Sequence, residues 1–169
     1  NYTMVCKEIL IYPEQVLKSR AQEIEAIDQE IVTLAEEMRH ALYKAPGVGL
    51  AAPQVGCSRR LILVDPTADK SAEHLTVIIN PVIVQCEGSE TGSEMCLSVP
   101  EVSVDVKRSS RIVVKGLDLD AREVEIEAEG FLARIYQHEI DHLDGKVILD
   151  YASFLKRSIY LKKRKKGKL

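Results

Sequence analysis

The sequence contains no run of about 18 apolar residues, so it offers no candidate for a membrane-spanning helix. Its N-terminus also lacks the basic and then apolar order of a signal sequence. The four cysteines have no disulfide-like spacing, which favours a reducing compartment. With 46% hydrophobic and 29% charged residues, the chain predicts one globular domain over residues 1–169.

Histidine is scarce, with only four in 169 residues, yet two of them share one short motif. His138 and His142 are four residues apart, and Glu139 lies between them. In a helix this spacing puts both imidazoles on the same face, where they can bind one metal ion. The ion would lower the pKa of a water molecule, and Glu139 would carry its proton to a leaving amine. The motif predicts a hydrolytic metal centre; the alternative is a surface helix with two chance histidines.

A third ligand is needed to complete such a centre. No histidine or glutamate follows His142, so the ligand is expected upstream. His40 lies in a helical run and His74 in a polar connector, so both are expected to be solvated. Cys96 follows a Gly/Ser-rich loop whose backbone can face a site, which favours it without deciding against the other cysteines. Those three are expected to be small buried apolar residues: Cys6, Cys57 and Cys86.

Three separate segments resemble the signature motifs of peptide deformylases, and they occur in the family's order. They are GVGLAAPQ at 47–54, EMCLS at 94–98 and QHEIDH at 137–142. The resemblance runs over nearly the whole chain, from ILIYP at 9–13 to the C-terminal helix. It implies three metal ligands: Cys96, His138 and His142.

The resemblance also implies an activity, the removal of the N-terminal formyl group from formyl-methionyl nascent peptides with release of formate. A metal-bound hydroxide would attack the formyl carbon. Glu139 would act as general acid and base, and Gln54 with the backbone N–H of Leu97 would form the oxyanion hole. Fe(II) is implied as the physiological ion, although the ligand types also suit Zn(II), Ni(II) or Co(II). The expected location is the bacterial cytoplasm, or a eukaryotic organelle if a transit peptide has been removed.

Six residues are candidates for contacting the peptide. Val48 and Gly49 would lie against an extended substrate like an added strand, although the glycines also suit a simple turn. Met95 stands where the family usually has glycine; it would be strained at positive φ, or would narrow the cleft if the backbone is extended. The other three candidates precede the histidines and would line a pocket for the methionine side chain: Phe131, Arg134 and Ile135. Core positions are the alternative for the phenylalanine and the isoleucine.

The hydrophobic pattern predicts an α+β fold in which antiparallel sheets cradle a central metal-binding helix. An N-terminal amphipathic helix is expected over 28–44, with one apolar face formed by Ile31, Leu34, Ala35, Met38 and Leu42. Strands are predicted at 61–65, 75–80, 81–86, 103–106, 111–117 and 123–128. The metal helix is expected over 130–143, ending at a left-handed glycine, Gly145.

Residues 156–169 form a basic C-terminal arm with eight lysines and arginines and no acid, so all 26 acidic side chains lie elsewhere. Such a segment is typical of arms that bind RNA or another anionic surface. The resemblance implies a basic helix that docks weakly on the ribosome; the alternative is a frayed, solubilising tail. A monomer is expected, because an enzyme that acts on emerging chains needs an open cleft.

Two other classes of function are alternatives. A metallopeptidase would cut internal peptide bonds, but the absence of a third ligand downstream of His142 counts against it. A catalytically weak relative that only binds ribosomes or peptides would be expected to lack Glu139, Gln54 or Cys96. All three are present, so the sequence predicts an enzyme.

Overall fold

A computed structural model describes residues 7–45 and 47–169. Within this part of the chain the fold is α+β, with antiparallel sheets and three α-helices, as the sequence predicts. The elements in chain order are α1 (Gln29–Lys44), β1 (Gly49–Ala51), β2 (Leu61–Val64), β3 (Thr76–Glu87), β4 (Glu90–Cys96), β5 (Val99–Arg108), β6 (Arg111–Leu117), β7 (Glu123–Glu129), α2 (Gly130–Leu143) and α3 (Phe154–Lys165). Three single-turn 3-10 helices lie at Gln15–Lys18, Ala52–Val55 and Ile148–Tyr151.

Helix α1 begins where the sequence predicts, because the Asp28 side chain accepts a hydrogen bond from the backbone N–H of Ile31 (3.2 Å). The predicted apolar face is confirmed, since all five of its members are buried: Ile31, Leu34, Ala35, Met38 and Leu42. This face packs against one side of the larger sheet, where Leu61, Leu63 and Ile79 are fully buried. Burial of this stripe, rather than helix propensity, fixes the position of α1.

The strands form two antiparallel sheets, a five-stranded one in the order β1-β2-β3-β6-β7 and a two-stranded one made of β4 and β5. The two strands predicted at 75–80 and 81–86 are in fact one strand, β3, with a register shift between Ile79 and Val82. Asn80 has a φ of 52° at this bulge. Its side chain exchanges two hydrogen bonds with the backbone of Ile24 (2.9 Å each), which stabilises the irregular conformation.

One strand prediction is corrected in extent, and two strands were not predicted. Strand β5 covers 99–108 rather than 103–106, and β4 lies where a Gly/Ser-rich loop was expected. Strand β1 lies within the glycine motif, which carried no strand prediction. The residues of β4 are mostly polar and exposed, so the alternation that marks a half-buried strand is absent from its sequence.

Helix α2 lies against the other side of the five-stranded sheet and forms the centre of the main core. Its buried residues Ile135, Tyr136 and Leu143 pack with strand residues such as Ile62 and Val114. From β7, the side chains of Val124, Ile126 and Ala128 all join this core, so the predicted inward face is confirmed. The helix is held on a rigid sheet, which is a suitable support for a pair of metal ligands.

Helix α3 begins with a cap in which Ser153 Oγ accepts from the backbone N–H of Lys156 (3.1 Å). Tyr160 is its one buried residue, and the Tyr160 hydroxyl donates to the backbone oxygen of Tyr12 (2.7 Å). The other side chains of α3 are partly or largely exposed. Among the described residues, no helix has both the length and the apolar character that a membrane span requires.

Gly145 ends α2 in the left-handed conformation that the sequence predicts, with a φ of 76°. A Cβ at this position would lie 2.8 Å from the backbone oxygen of Lys18. We expect Gly145→Ala to lower the free energy of unfolding by about 1–3 kcal/mol, measured by urea denaturation. Gly167→Ala is the matched control, because Gly167 has a φ of 68° but no atom within 4 Å of the added Cβ. Equal effects of the two substitutions would contradict the role assigned to the close approach.

Candidate metal centre

The structure brings together one sulfur and two imidazoles from distant parts of the chain. Cys96 ends β4, whereas His138 and His142 lie one turn apart on α2. One ligand atom from each residue lies within 4.8 Å of the other two. Cys96 Sγ is 3.3 Å from His142 Nε2, and the two imidazole rings are 5.1 Å apart. A thiolate and two imidazoles in this arrangement fit a tetrahedral divalent ion with one open position.

Glu94 fixes the orientation of the first histidine. Its Oε1 lies 2.9 Å from His138 Nδ1, which leaves Nε2 available to a metal ion. The Glu94 carboxylate is itself buried, and the Arg108 guanidinium binds it with two hydrogen bonds of 2.9 Å. Arg134 adds a third at 2.8 Å. Two arginines therefore balance the negative charge of Glu94, and these hydrogen bonds fix the orientation of its carboxylate.

The same guanidinium extends the network to a second acid on α2. Arg108 Nη1 donates to Asp141 Oδ2 (2.5 Å), and the Tyr151 hydroxyl donates to the same oxygen (2.6 Å). Arg108 also lies over the Tyr151 ring, 5.0 Å from its centroid. Sequence reasoning gave no role to these residues. Glu94 and Asp141 stand inside the second and third motifs, which was a usable signal, whereas Arg108 and Tyr151 carry none.

The pKa values of these groups follow from burial and pairing. Burial alone would raise the pKa of Glu94, but hydrogen bonds from Arg108 and His138 lower it to about 2. Burial lowers the pKa of His142 well below its ordinary value, so this imidazole is neutral, as a ligand must be. Burial also acts to lower the pKa of His138, but the charge of Glu139 and the Cys96 and Glu94 contacts raise it well above the ordinary value. A metal ion bound here would displace that proton.

Glu139 lies beside the ligand cluster and is 3% exposed. Burial raises its pKa to about 7. Glu139 Oε1 and His142 Nδ1 are both buried without a hydrogen-bond partner among the described residues. Gly49 is packed directly on the carboxylate, and a Cβ at that position would overlap Glu139 Oε2. The glycine of the first motif therefore makes room for the carboxylate of the third.

The side chain of Gln54 is fixed next to Cys96 of the cluster. Its Oε1 accepts from the backbone N–H of Ala51 (2.9 Å), so its amide nitrogen is aimed at Ser98 Oγ (3.1 Å) and Cys96 Sγ (3.8 Å). Gln54 is 1% exposed, which fixes this orientation further. Leu97 follows Cys96 directly in the chain and lines a cavity next to the cluster.

A cavity of about 450 Å³ opens next to these groups. All six predicted substrate residues line it: Val48, Gly49, Met95, Phe131, Arg134 and Ile135. Phe131 is 60% exposed, so the core alternative is wrong for it, whereas Ile135 is buried and serves both the core and the cavity wall. The Arg134 guanidinium is bound to Glu94 and to the backbone oxygens of Val106 and Glu90. Met95 lies at the rim and is 70% exposed.

Among the described residues, the other candidate ligands do not belong to this cluster. His40 and His74 are exposed, as predicted. Cys57 is partly buried, but Cys86 is exposed, so the prediction that it is buried is wrong. The cause is its place in the outer half of β3, where most side chains face solvent. Cys6 lies outside the described residues.

The fold and the cluster of cysteine and two histidines beside a buried glutamate are those of a metal-dependent hydrolase. A family model described as polypeptide deformylase matches residues 6–158. The chain is 47% identical to a peptide deformylase of Thermodesulfovibrio yellowstonii over 165 residues, which cover 98% of this chain and 100% of that protein. The crystal structure of a peptide deformylase from Legionella pneumophila has a TM-score of 0.91 and 41% identity, covering 97% of this chain and 96% of that one. An Ehrlichia chaffeensis peptide deformylase in complex with actinonin has a TM-score of 0.89 and 37% identity, covering 97% and 98%.

The chain therefore belongs to the peptide deformylase family, as the three motifs predict. Members of this family are metalloenzymes that remove the formyl group from the N-terminal methionine of nascent peptides. The predicted fold class and the predicted activity are both confirmed by these comparisons.

The buried contact of Glu94 with His138 generates a prediction about metal affinity. Glu94→Gln keeps the shape of the side chain but removes the charge that balances Arg108 and Arg134. We expect metal affinity to fall about 10- to 100-fold, measured by competition of the zinc-loaded protein with a chelator.

Glu90→Gln is the matched control, because Glu90 lies on the same strand with its side chain exposed. Unchanged affinity in Glu94→Gln would show that the carboxylate does not support the imidazole.

Proposed function

We propose that Cys96, His138 and His142 hold one divalent ion, with Fe(II) as the physiological metal. The short distances between the three ligand atoms support this assignment. A sample purified in air would hold Zn(II), Ni(II) or Co(II), because the same donors bind all of these ions. When bound, the ion supplies the Lewis acidity that makes water nucleophilic at neutral pH.

Glu139 is proposed as the general acid and base. A pKa of about 7 lets this carboxyl accept a proton and release it again near neutral pH. Two observations support this role: Glu139 lies beside the proposed ligands, and its buried Oε1 has no hydrogen-bond partner among the described residues. The proton then passes to the leaving amine as the C–N bond of the formyl group breaks, giving formate and a free N-terminus.

Gln54 and the backbone N–H of Leu97 are proposed to stabilise the negative charge that develops on the formyl oxygen. The hydrogen bond from Ala51 fixes the amide of Gln54, so this donor needs no reorganisation during the reaction. One preorganised donor of this kind is worth roughly 100- to 1000-fold in rate.

The cavity beside the cluster is proposed to bind the formyl-methionyl end of the substrate. Strand β1 is the edge of its sheet among the described strands, so Val48 and Gly49 can pair with an extended peptide as an added strand. Phe131, Ile135 and the stem of Arg134 supply the apolar wall for the methionine side chain. Met95 lies in β4 and is not among the residues with positive φ, which supports the cleft-narrowing role over backbone strain.

The burial of Glu139 against Gly49, next to the three ligands, is the observation that carries this mechanism. We expect iron-loaded protein to release formate from a formyl-Met tripeptide, and Glu139→Gln of equal metal content to be about 100- to 10,000-fold slower. The measurement is single-substrate kinetics under anaerobic conditions. Equal rates for the two proteins would remove Glu139 from the mechanism, and no formate release from the wild type would contradict the proposed activity.

The basic arm is proposed to dock weakly on ribosomes through the exposed lysines of α3, with the enzyme acting as a monomer in the bacterial cytoplasm or in an organelle. Such binding is dominated by phosphate contacts and falls steeply with salt. We expect reversal of Lys162, Lys165 and Lys166 to glutamate to abolish co-sedimentation with ribosomes at low salt, while tripeptide deformylation is unchanged.

The matched control for this prediction reverses three exposed lysines outside the arm: Lys70, Lys107 and Lys146. Both triple variants change the net charge of the protein by the same amount. Equal loss of co-sedimentation would indicate a general charge effect and contradict docking through the arm.

A further inference from the structure

A second cavity of about 450 Å³ lies between β5 and α3. Val102 and Ser103 of β5 form one wall, and Leu155, Ile159 and Tyr160 of α3 form the other. The proposed mechanism uses none of these residues. We define this cavity, with Lys156 and Lys163 at its edge, as the α3 groove.

The α3 groove adjoins the catalytic cleft at one residue. Glu101 lines both cavities, and Pro100 beside it also lines the cleft. Glu101 has a φ of 63° and an exposed side chain. An extended chain that leaves the cleft past Glu101 therefore enters the groove within a few residues, since each extended residue advances about 3.3 Å.

The α3 groove is lined by apolar side chains that are exposed to solvent. Leu155 is 69% exposed and Ile159 is 47% exposed, whereas Tyr160 is buried at the base. The Lys156 ammonium donates to the backbone oxygen of Ser103 (2.6 Å) and so ties the helix to the strand across the groove. The fixed walls suit an apolar side chain. Two lysines, Lys156 and Lys163, line the groove against one acid, Glu101, and this balance favours a neighbouring acidic residue over a basic one.

We propose that the α3 groove is an exosite for the downstream part of the formylated peptide substrate, where it takes an apolar side chain flanked by an acidic one. This inference rests on the proposed function of the adjacent cleft. It separates two tasks within the basic arm, because Lys162, Lys165 and Lys166 do not line the groove. A short substrate reaches only the cleft, whereas a longer nascent chain contacts both surfaces.

The test compares two formyl-Met decapeptides that share their first three residues with a formyl-Met tripeptide. One decapeptide carries leucine and aspartate in its second half, and the other carries only glycine and serine there. For the wild type we expect a KM about fivefold lower for the leucine peptide, as partial burial of one leucine side chain implies. We expect Ile159→Ser to remove this difference and to leave the tripeptide kinetics unchanged.

Leu161→Ser is the matched control, because Leu161 is an exposed apolar residue of the same helix that does not line the groove. It is expected to keep the fivefold difference. Lys163→Glu provides a second test, with a third decapeptide in which lysine replaces the aspartate. We expect the wild type to have the lower KM for the aspartate peptide and Lys163→Glu to have the lower KM for the lysine peptide.

Three results would overturn the exosite: equal KM values for both decapeptides in the wild type, a preference that survives in Ile159→Ser, or equal losses in Ile159→Ser and Leu161→Ser. Each of these leaves tripeptide turnover intact. Loss of tripeptide turnover in the wild type would instead contradict the proposed function, and the exosite with it.

Discussion

The buried ion pair between Glu94 and Arg108 is the interaction on which the geometry of this protein depends. It lies within the β4–β5 hairpin, which carries Cys96, and both of its members also bind α2, which carries both histidines. Both partners are about 6% exposed, so a charge left alone here would be costly, and removal of one partner of such a pair typically costs about 3–5 kcal/mol. Arg108 also binds Asp141, and Glu94 also binds His138. Through these contacts the pair restrains the hairpin that carries Cys96 relative to the helix that carries the two histidines, the other proposed metal ligands.

The site divides its tasks between rigid and exposed regions. The histidines lie on a helix whose buried side packs on the five-stranded sheet, so their positions are set by core packing. Cys96 comes from a hairpin that shares only limited core with that sheet, and the polar network supplies the missing restraint. The rim of the cleft is formed by exposed side chains, Met95 and Phe131, which are free to adapt to different peptides. Rigid ligands with an adaptable rim suit an enzyme that must accept many nascent chains.

Local patterns in the sequence were sufficient for the elements with one clear periodicity. The apolar face of α1, the inward side of β7 and the pairing of His138 with His142 all follow from spacing alone. Cys96 and Gln54 required the motifs, because no spacing links them to α2. Strand β4 was not predicted because its polar, exposed residues do not alternate with apolar ones. Strand β3 was predicted as two strands because Asn80, which lies at the bulge, resembles a residue that ends a strand. The role of Arg108 could not be predicted from the sequence, since it depends on partners from two other elements, Glu94 of β4 and Asp141 of α2.

The contact of Gly49 with Glu139 makes the first and third motifs sterically dependent on each other. Gly49 is not needed for an unusual backbone conformation, because its φ is not positive. Its lack of a side chain leaves the space that the Glu139 carboxylate occupies. The two positions are far apart in the chain, yet they form one steric unit in which neither residue can grow without displacing the other. The size of the residue at position 49 and the position of the acid at 139 are therefore coupled through one tightly packed contact, so the glycine motif helps to set where the buried carboxylate lies.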